Sequence, residues 1–397
     1  MHWPSIHWAA ANWIAGTILA LAWFSRVVEA ALGMPHIADI ARPEWDRSPA
    51  TPNGDPRVSI IVPARNEEEH IRETLTRLLA LDYSNYEIFA INDRSTDRTG
   101  QIMHEVADAR ARGLLKVIHI SELPSGWLGK THAMWTAGQL ATGDWLLFTD
   151  ADVLFKPDSV RRAAAYAEAE RADHVVLFPR MIMKRASEKM MIAFFQALFV
   201  FGHRPWKVAD PNARDHMGVG AFNMVRRKAY DAVGTYRALR MEVLDDMKMG
   251  KVVKNAGFAQ RNVFGGNLIS LRWATGAFGI VNNLTKNFFA VLSFQWSRTV
   301  LSIIGLGFLN LGPFLGIWLA HGWARVPYAI ALLSLFLIYY GMSDMSDVPA
   351  YYFFLHPVST SLFMYTLALS MSHAISNGGI VWRGTKYPLD ELRKGMV

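Results

Sequence analysis

Leu147-Phe148-Thr149-Asp150-Ala151-Asp152 carries an apolar run straight into two carboxylates one residue apart. Side chains alternate along an extended backbone, so Asp150 and Asp152 are expected to point the same way from a strand end. Mg²⁺ or Mn²⁺ would take them there as hard oxygen ligands beside a diphosphate. An Asp-x-Asp alone is a weak signal, because chance and Asx-turns produce it often. Its weight comes from the segments on either side.

Upstream, Val58-Ser59-Ile60-Ile61-Val62 is a continuous apolar run, followed by a turn and a helical segment predicted over Glu67–Leu79. The same unit recurs as strand Ile88–Ile91 with helix Asp97–Arg110, strand Leu115–Ile120 with helix Lys130–Leu140, and strand Trp145–Phe148 with helix Asp158–Glu170. Strands alternating with helices imply a mostly parallel sheet covered on both faces, with ligands at the carboxyl ends of the strands. The polar clusters fall at those ends. No internal repeat and no low-complexity tract is present, which sets aside solenoids and disordered tails.

The remainder of the chain is of another kind. Of 397 residues 51% are hydrophobic, with 14 Trp and 22 Phe, and the excess is concentrated in Trp8–Phe24 and in most of Thr299–Ile375. A membrane span needs about 20 apolar residues, and Thr299–Trp318, Val326–Met342 and Tyr351–Ile375 come close, with aromatic residues near their ends. No Lys or Arg precedes Arg26, so the basic region of a cleaved leader is missing and the first segment reads as a retained anchor. Met190–Gly202 is too short to span and reads either as an interfacial helix or as a buried core helix; Phe278–Phe294 reads as interfacial.

Basic residues outnumber acidic ones by 41 to 34, for a formal charge of +7, which suits an anionic leaflet and an anionic small substrate. Nucleic acid is excluded as the expected partner, since no Lys/Arg run is interleaved with aromatics. The chain has no cysteine, which removes disulfides, thiolate metal sites and cysteine nucleophiles from consideration.

Five further clusters carry chemistry. Pro63-Ala-Arg65-Asn66-Glu67 follows the first strand, with Asn66 placed to cap the next helix and Arg65 and Glu67 facing the cleft. Asn92-Asp93-Arg94-Ser95-Thr96-Asp97 follows the second; Asp93 can accept from a ribose or base edge, while Thr96 or Asp97 caps a helix. Gly126-Trp-Leu-Gly129-Lys130-Thr-His132 opens a helix, where free N–H groups and the Lys130 charge attract phosphate. It lacks the Gly-x-x-x-x-Gly-Lys-Ser/Thr spacing of an ATPase loop. His132 reads as a structural hydrogen-bonder. Finally, Gly218-Val-Gly220-Ala-Phe222-Asn223 would let a ligand approach the backbone, and Asp245-Asp246 is either a helix cap or a general base.

Taken in order, Pro63–Glu67, Asn92–Asp97, Gly129-Lys130, Asp150-Ala-Asp152, Gly220–Asn223 and Asp245-Asp246 resemble glycosyltransferase family 2 over about Val58–Gly257. Within it the chain is similar to bacterial membrane-anchored members associated with hopanoid, carotenoid or glycolipid glycosylation. The resemblance implies an α/β glycosyltransferase A fold, a nucleotide-sugar donor (commonly a UDP-sugar), a divalent cation and inverting transfer. Carried over, Pro63, Arg65, Glu67, Asp93, Lys130 and Asp150 would bind the donor, Asp152 and Asp150 the metal, and Asp246 would be the base beside Asp245. Gly220, Phe222 and Asn223 would lie on the acceptor side. The family usually has Asp-Asp where this chain has Asn92-Asp93, and Glu-Asp where it has Asp245-Asp246. The Gln/Arg-x-x-Arg-Trp of processive synthases has no clean copy here; Arg272-Trp273 and Gln295-Trp296-Ser297-Arg298 are the nearest fragments.

The expected organisation is an anchor over 1–40, a catalytic domain over 41–272, an interfacial segment over 273–298, transmembrane helices over 299–376 and a basic tail over 377–397. That describes a multi-pass protein of the bacterial inner membrane with a cytoplasmic catalytic domain and a lipid or lipid-linked acceptor. A processive polysaccharide synthase and a non-catalytic nucleotide-sugar-binding protein are the competing readings. Four spans would place the tail opposite the catalytic domain, whereas its basic residues favour the same side. The breaks at Gly305–Gly316 and His356-Pro357 mark the candidates for a segment that does not cross.

Overall fold

The computed structural model describes residues 3–52, 54–110 and 113–396. The chain forms two compact units that interleave along the sequence. The catalytic unit comprises Ile37–Ile182, Lys207–Arg272 and Trp382–Val397. The other comprises Met1–His36, Met183–Trp206 and Trp273–Val381. The sequence reading divides the chain into consecutive blocks; the structure moves residues 183–206 to the apolar helices and the tail to the catalytic unit.

In the catalytic unit the strands are β1 (Val58–Ala64), β2 (Tyr86–Asp93), β3 (Leu115–Ile120), β4 (Trp145–Phe148), β5 (Leu154–Phe155), β6 (His174–Leu177), β7 (Arg180–Met181), β8 (Asn223–Arg226), β9 (Gln260–Val263) and β10 (Ile269–Leu271). The main sheet runs in the order β3-β2-β1-β4-β8-β6-β9, and a small one in the order β5-β10-β7. β1 is parallel to β2 and β4, β2 to β3, and β6 to β9, as alternating strands and helices require. β8 is antiparallel to both β4 and β6. Its register pairs Phe148 with Asn223, so the residues leaving the end of β4 meet those entering the start of β8. That one reversed strand brings Gly218–Phe222 to the carboxyl ends of the parallel strands. Both faces of the sheet are buried, one by Ile60, Val62, Leu75, Ile88 and Leu147, the other by Ile61, Phe89, Met134, Leu146 and Tyr230.

The helices start later than the apolar periodicity suggests. The first runs Ile71–Leu78 and the second Thr99–Arg110. The missing turns are consumed by a cross-linked pair of loops. Asn66 accepts from the N–H of Thr96 at 2.8 Å instead of capping its own helix, and its N–H donates to Ser95 Oγ at 3.0 Å. Glu67 N–H reaches Thr99 Oγ1 at 2.8 Å and Glu68 N–H reaches Asp97 at 3.1 Å. Asp97 caps the second helix by accepting from Thr99 N–H at 2.9 Å.

The other unit is helical. Trp8–His36, Trp296–Leu319, Gly322–Ser346 and Ala350–Ser376 are each long and apolar enough to cross a membrane. Trp23 is fully buried and donates to the Leu309 carbonyl at 2.9 Å. The helix Ala186–Gly202 buries Phe194 against Phe363 and His356, which makes it a core helix of this unit, one of its two sequence readings. Gly276–Val291 buries Ile280, Leu284 and Phe289 on one side, and Phe289 N–H donates to Ser370 Oγ at 2.9 Å. The Gly305–Gly316 stretch stays helical through a π turn at Gly307–Leu311, with Pro313 at the start of the next α-helical piece. Pro357 opens the helix His356–Ser376 after a short 3₁₀ segment.

Candidate active site

Asp150 and Asp152 lie just beyond β4, not on it, so strand alternation does not position them. Backbone pairing does: Thr149 N–H donates to the Ile61 carbonyl at 3.1 Å and Asp150 N–H to the Gly220 carbonyl at 3.0 Å. Thr149 Oγ1 donates to the Ala221 carbonyl at 2.8 Å. Gly220 is needed for this approach, because a Cβ there would sit 2.6 Å from Asp150 Oδ2. Gly218 serves the next element in the same way: a Cβ on it would lie 1.8 Å from the carbonyl oxygen of Asp246. The helix Asp245–Asn255 therefore begins directly against the strand lead-in.

Lys130 sits among the acidic groups. Its Nζ is 2.9 Å from Asp150 and 3.4 Å from Asp245. Desolvation works to lower the Lys130 pKa, yet Asp150, Asp245 and Asp246 together push it above the ordinary lysine value. Burial raises Asp245 to about 7 despite Lys130, with Asp246 and Asp150 adding repulsion. Asp246 is also raised by burial, against Lys130 and the Met247 N–H that its Oδ1 accepts at 2.7 Å. Among the described residues Asp246 makes no direct ion pair, whereas Asp245 is tied to the lysine. Lys130, Met134, Phe148, Thr149, Asp150, Gly220, Asn223, Tyr236, Asp245 and Asp246 line a single recess.

Asp152 is raised to about 6 by burial and by the charges of Asp150 and Glu67. Carboxylates that raise one another's pKa are under-neutralised, which a dication would relieve. Among the described residues no group of three or more His, Cys, Asp or Glu is arranged around one point. Two carboxylates completed by phosphate oxygens is the way Mg²⁺ is commonly held, so the residues fit a cation that arrives with a diphosphate.

Towards β1 and β2, Asp93 is buried and gripped on both oxygens by Arg94, at 2.7 and 2.9 Å. Gly129 makes room for that pair, since a Cβ would fall 2.3 Å from Asp93 Oδ2. Asn66 and Arg94 both have φ near 55°, the left-handed region, at adjacent strand ends. Non-glycine residues held there concentrate at functional sites. Arg65 donates to Thr385 Oγ1 at 3.0 Å, Glu67 pairs with Arg383, and the Gly129 N–H at the helix start donates to Tyr387 Oη at 3.2 Å. That helix N–H, expected to be open, is thus met by the tail. Pro63 is part of β1, opposite Ile91.

Of the three residues expected on the acceptor side, Gly220 lines the recess. Phe222 does not: it is fully buried against Phe155 in the core, because its place one residue before β8 turns it under the sheet. Asn223 edges the recess but faces inward. Its Oδ1 bonds His174 Nε2, and its Nδ2 donates to the Asp246 carbonyl at 3.4 Å. His174 Nδ1 is 2.6 Å from Gln260 Nε2, and Gln260 also binds Met217 N–H at 2.9 Å. With these partners His174 is the neutral tautomer that donates from Nε2 and accepts at Nδ1. Burial lowers its pKa to about 4. Sequence reasoning missed His174, Gln260, Tyr236 and the tail residues; a His heading the apolar strand His174–Leu177 was the available signal for the first, whereas Gln260 opens the polar strand Gln-Arg-Asn-Val and offered none.

Residues 59–246 match the sequence model of Glycosyl transferase family 2. A 4,4'-diaponeurosporenoate glycosyltransferase of Staphylococcus aureus is 21% identical over 84% of this chain and 89% of its own length. A mannosyltransferase from Pyrobaculum calidifontis, solved with GDP-Man and Mn²⁺, superposes with a TM-score of 0.54 at 19% identity, over 92% of this chain and 98% of that one. The mostly parallel sheet with its acidic strand ends is a glycosyltransferase A fold. Residues 59–246 are thus a segment similar to Glycosyl transferase family 2, set in a longer chain.

Proposed function

We propose that this protein is a membrane-bound inverting glycosyltransferase that moves a sugar from a nucleoside diphosphate sugar, most simply a UDP-sugar, to a hydroxyl of a lipid or lipid-linked acceptor. One observation supports the reading above others: Lys130, Asp150, Asp245 and Asp246 share one recess at the carboxyl ends of β1 and β4. Arg65, Glu67 and Asp93, with Pro63 beneath them, would face the nucleoside. Asp150 and Asp152 would hold Mg²⁺ or Mn²⁺, which supplies neutralisation of the leaving diphosphate when bound.

Asp246 is the base in this reading. It takes the acceptor hydroxyl proton as that oxygen attacks the sugar C1 from the face opposite the diphosphate; the C1–O bond to the diphosphate breaks and its electron pair leaves with the phosphate. A raised carboxyl pKa suits the task, since a base nearer the working pH transfers protons more effectively. Asp245 holds the Lys130 ammonium, and Lys130 in turn presents positive charge where the leaving group gains negative charge. Helices able to cross a membrane, and a relative whose name is that of a carotenoid-associated glycosyltransferase, favour an amphiphilic acceptor in the cytoplasmic membrane of a bacterium, with the catalytic unit cytoplasmic.

The test is transfer by the purified full-length protein from UDP- and GDP-sugars to a bacterial lipid extract, followed by mass spectrometry. A glycolipid is expected, and Asp246→Asn should abolish it while leaving nucleotide binding intact. Full transfer by that variant removes Asp246 from the role. Polymer as the product would favour a processive synthase, and no transfer with any donor would favour a binding protein.

A further inference from the structure

The tail Trp382–Val397 is part of the catalytic unit and reaches residues 65–67 and 129 at the strand ends. Arg383 donates to the Arg65 carbonyl and to the Glu67 carboxylate. Thr385 accepts from the Arg65 guanidinium, and Tyr387 accepts from Gly129 N–H. Ordering such a segment costs about 1–2 kcal/mol per residue, so it needs anchors. Tyr387 and Leu392 are buried, and Gly395 packs so closely that a Cβ would lie 2.4 Å from Met241. Arg383 itself keeps 40% of its side chain exposed.

Charge at this mouth is unbalanced. The guanidinium groups of Arg65, Arg94 and Arg383 face the carboxylates of Asp93 and Glu67, and Arg65 feels both other arginines. Within that group three guanidiniums meet two carboxylates. Arg383 pairs with Glu67, two residues after Arg65, so it stands at the first-strand cluster that the nucleotide reading places against the donor.

We propose that the tail is the outer wall of the donor site and that Arg383 is a donor-binding residue, which exchanges the Glu67 carboxylate for the donor's diphosphate. This rests on the nucleotide-sugar reading above. A guanidinium matches phosphate oxygens bidentately, and a diphosphate offers more negative charge than one carboxylate. Release of Arg383 leaves Glu67 able to accept hydrogen bonds from the ribose or base.

The experiment titrates the full-length protein with UDP and GDP in the presence of Mn²⁺, and with uridine and guanosine. Wild type is compared with Arg383→Ala and Arg383→Lys, each verified by its thermal transition. Arg383→Ala should weaken the preferred diphosphate about tenfold, or roughly 1.4 kcal/mol, and leave its nucleoside unchanged or tighter; lysine should restore part of the loss. Equal losses for both ligands, no loss for either, or tighter binding of both would overturn the exchange while leaving the donor reading intact. A wild type that binds neither UDP nor GDP would overturn both.

Discussion

The buried chain Gln260–His174–Asn223–Asp246 links stability, pH and catalysis, and it gives the most demanding test. His174 is fully buried and neutral, accepting from Gln260 at 2.6 Å and donating to Asn223. Protonating Nδ1 would set two donors against each other in a dry site. Burial accordingly lowers its pKa from 6.5 to about 4. A histidine whose folded pKa is depressed contributes stability that is present above its unfolded pKa and is lost as pH falls towards the folded one. The window is therefore pH 6.5 down to about 4. At about 1.4 kcal/mol per pH unit, the loss across it is on the order of 3 kcal/mol. For a domain of this size that corresponds to roughly 2–4 °C of Tm per kcal/mol. His174→Gln removes this pH-dependent term but forfeits a hydrogen bond, costing about 1–3 kcal/mol at pH 8. Thermal unfolding of both proteins at pH 8, 6 and 4.5 should show the gap between them closing as pH falls. Because Asn223 donates to the Asp246 carbonyl, kcat should fall in the variant while the donor KM changes little. Parallel stability curves over that range would refute the argument.

Lys130→Met should lower kcat by about 10²–10³, the usual cost of one preorganised electrostatic contact, measured as donor turnover. It also removes the positive charge that faces Asp150 and Asp245, so the loss should be larger at pH 8 than at pH 6. Gly220→Ala places a Cβ 2.6 Å from Asp150 Oδ2, and that carboxylate must move. Mn²⁺-dependent nucleotide binding should weaken about tenfold or more, whereas an unaltered affinity would show that Asp150 is not a ligand. The natural chain has no cysteine, so single cysteines at exposed Glu122 and Asp390 can be labelled in sealed vesicles. Both should react from the same side; labelling from opposite sides would contradict the placement of the tail.

Much of the fold is legible because parallel strands buried on both faces must be apolar runs. Val58–Val62, Leu115–Ile120 and Trp145–Phe148 were read within a residue or two of their observed bounds. The acidic clusters are legible because their order along the chain follows the strand ends. Less legible is anything fixed by a distant partner. Asn66 looks like a cap in sequence, and only the fold reveals that Thr96 lies nearer than its own helix. Phe222 looks like part of a ligand loop until the antiparallel direction of β8 turns it into the core. His174 and Gln260 are 86 positions apart, and no local pattern pairs them.

The tail joins these two scales. Arg383, Thr385 and Tyr387 pack on residues 65–67 and 129, so the segments before and after the last apolar helices belong to one compact body. Between Arg272 and Trp382 lie three helices long and apolar enough to cross a bilayer. A chain that leaves a body and returns to it crosses an even number of times. In the membrane-bound reading proposed above, three candidates and an even count imply that one of them, or all three, fail to traverse. Backbone that enters a membrane without crossing is tolerated where other helices satisfy it. Trp296–Leu319 is continuous but carries the π turn at Gly307–Leu311 and a buried Asn310 bonded to His356 at 3.1 Å, which marks it as the candidate in that reading. In that proposed reading the basic side chains of the tail, which favour a cytoplasmic side, and the contacts of Arg383 point the same way, one from lipid charge and the other from a hydrogen bond to Arg65.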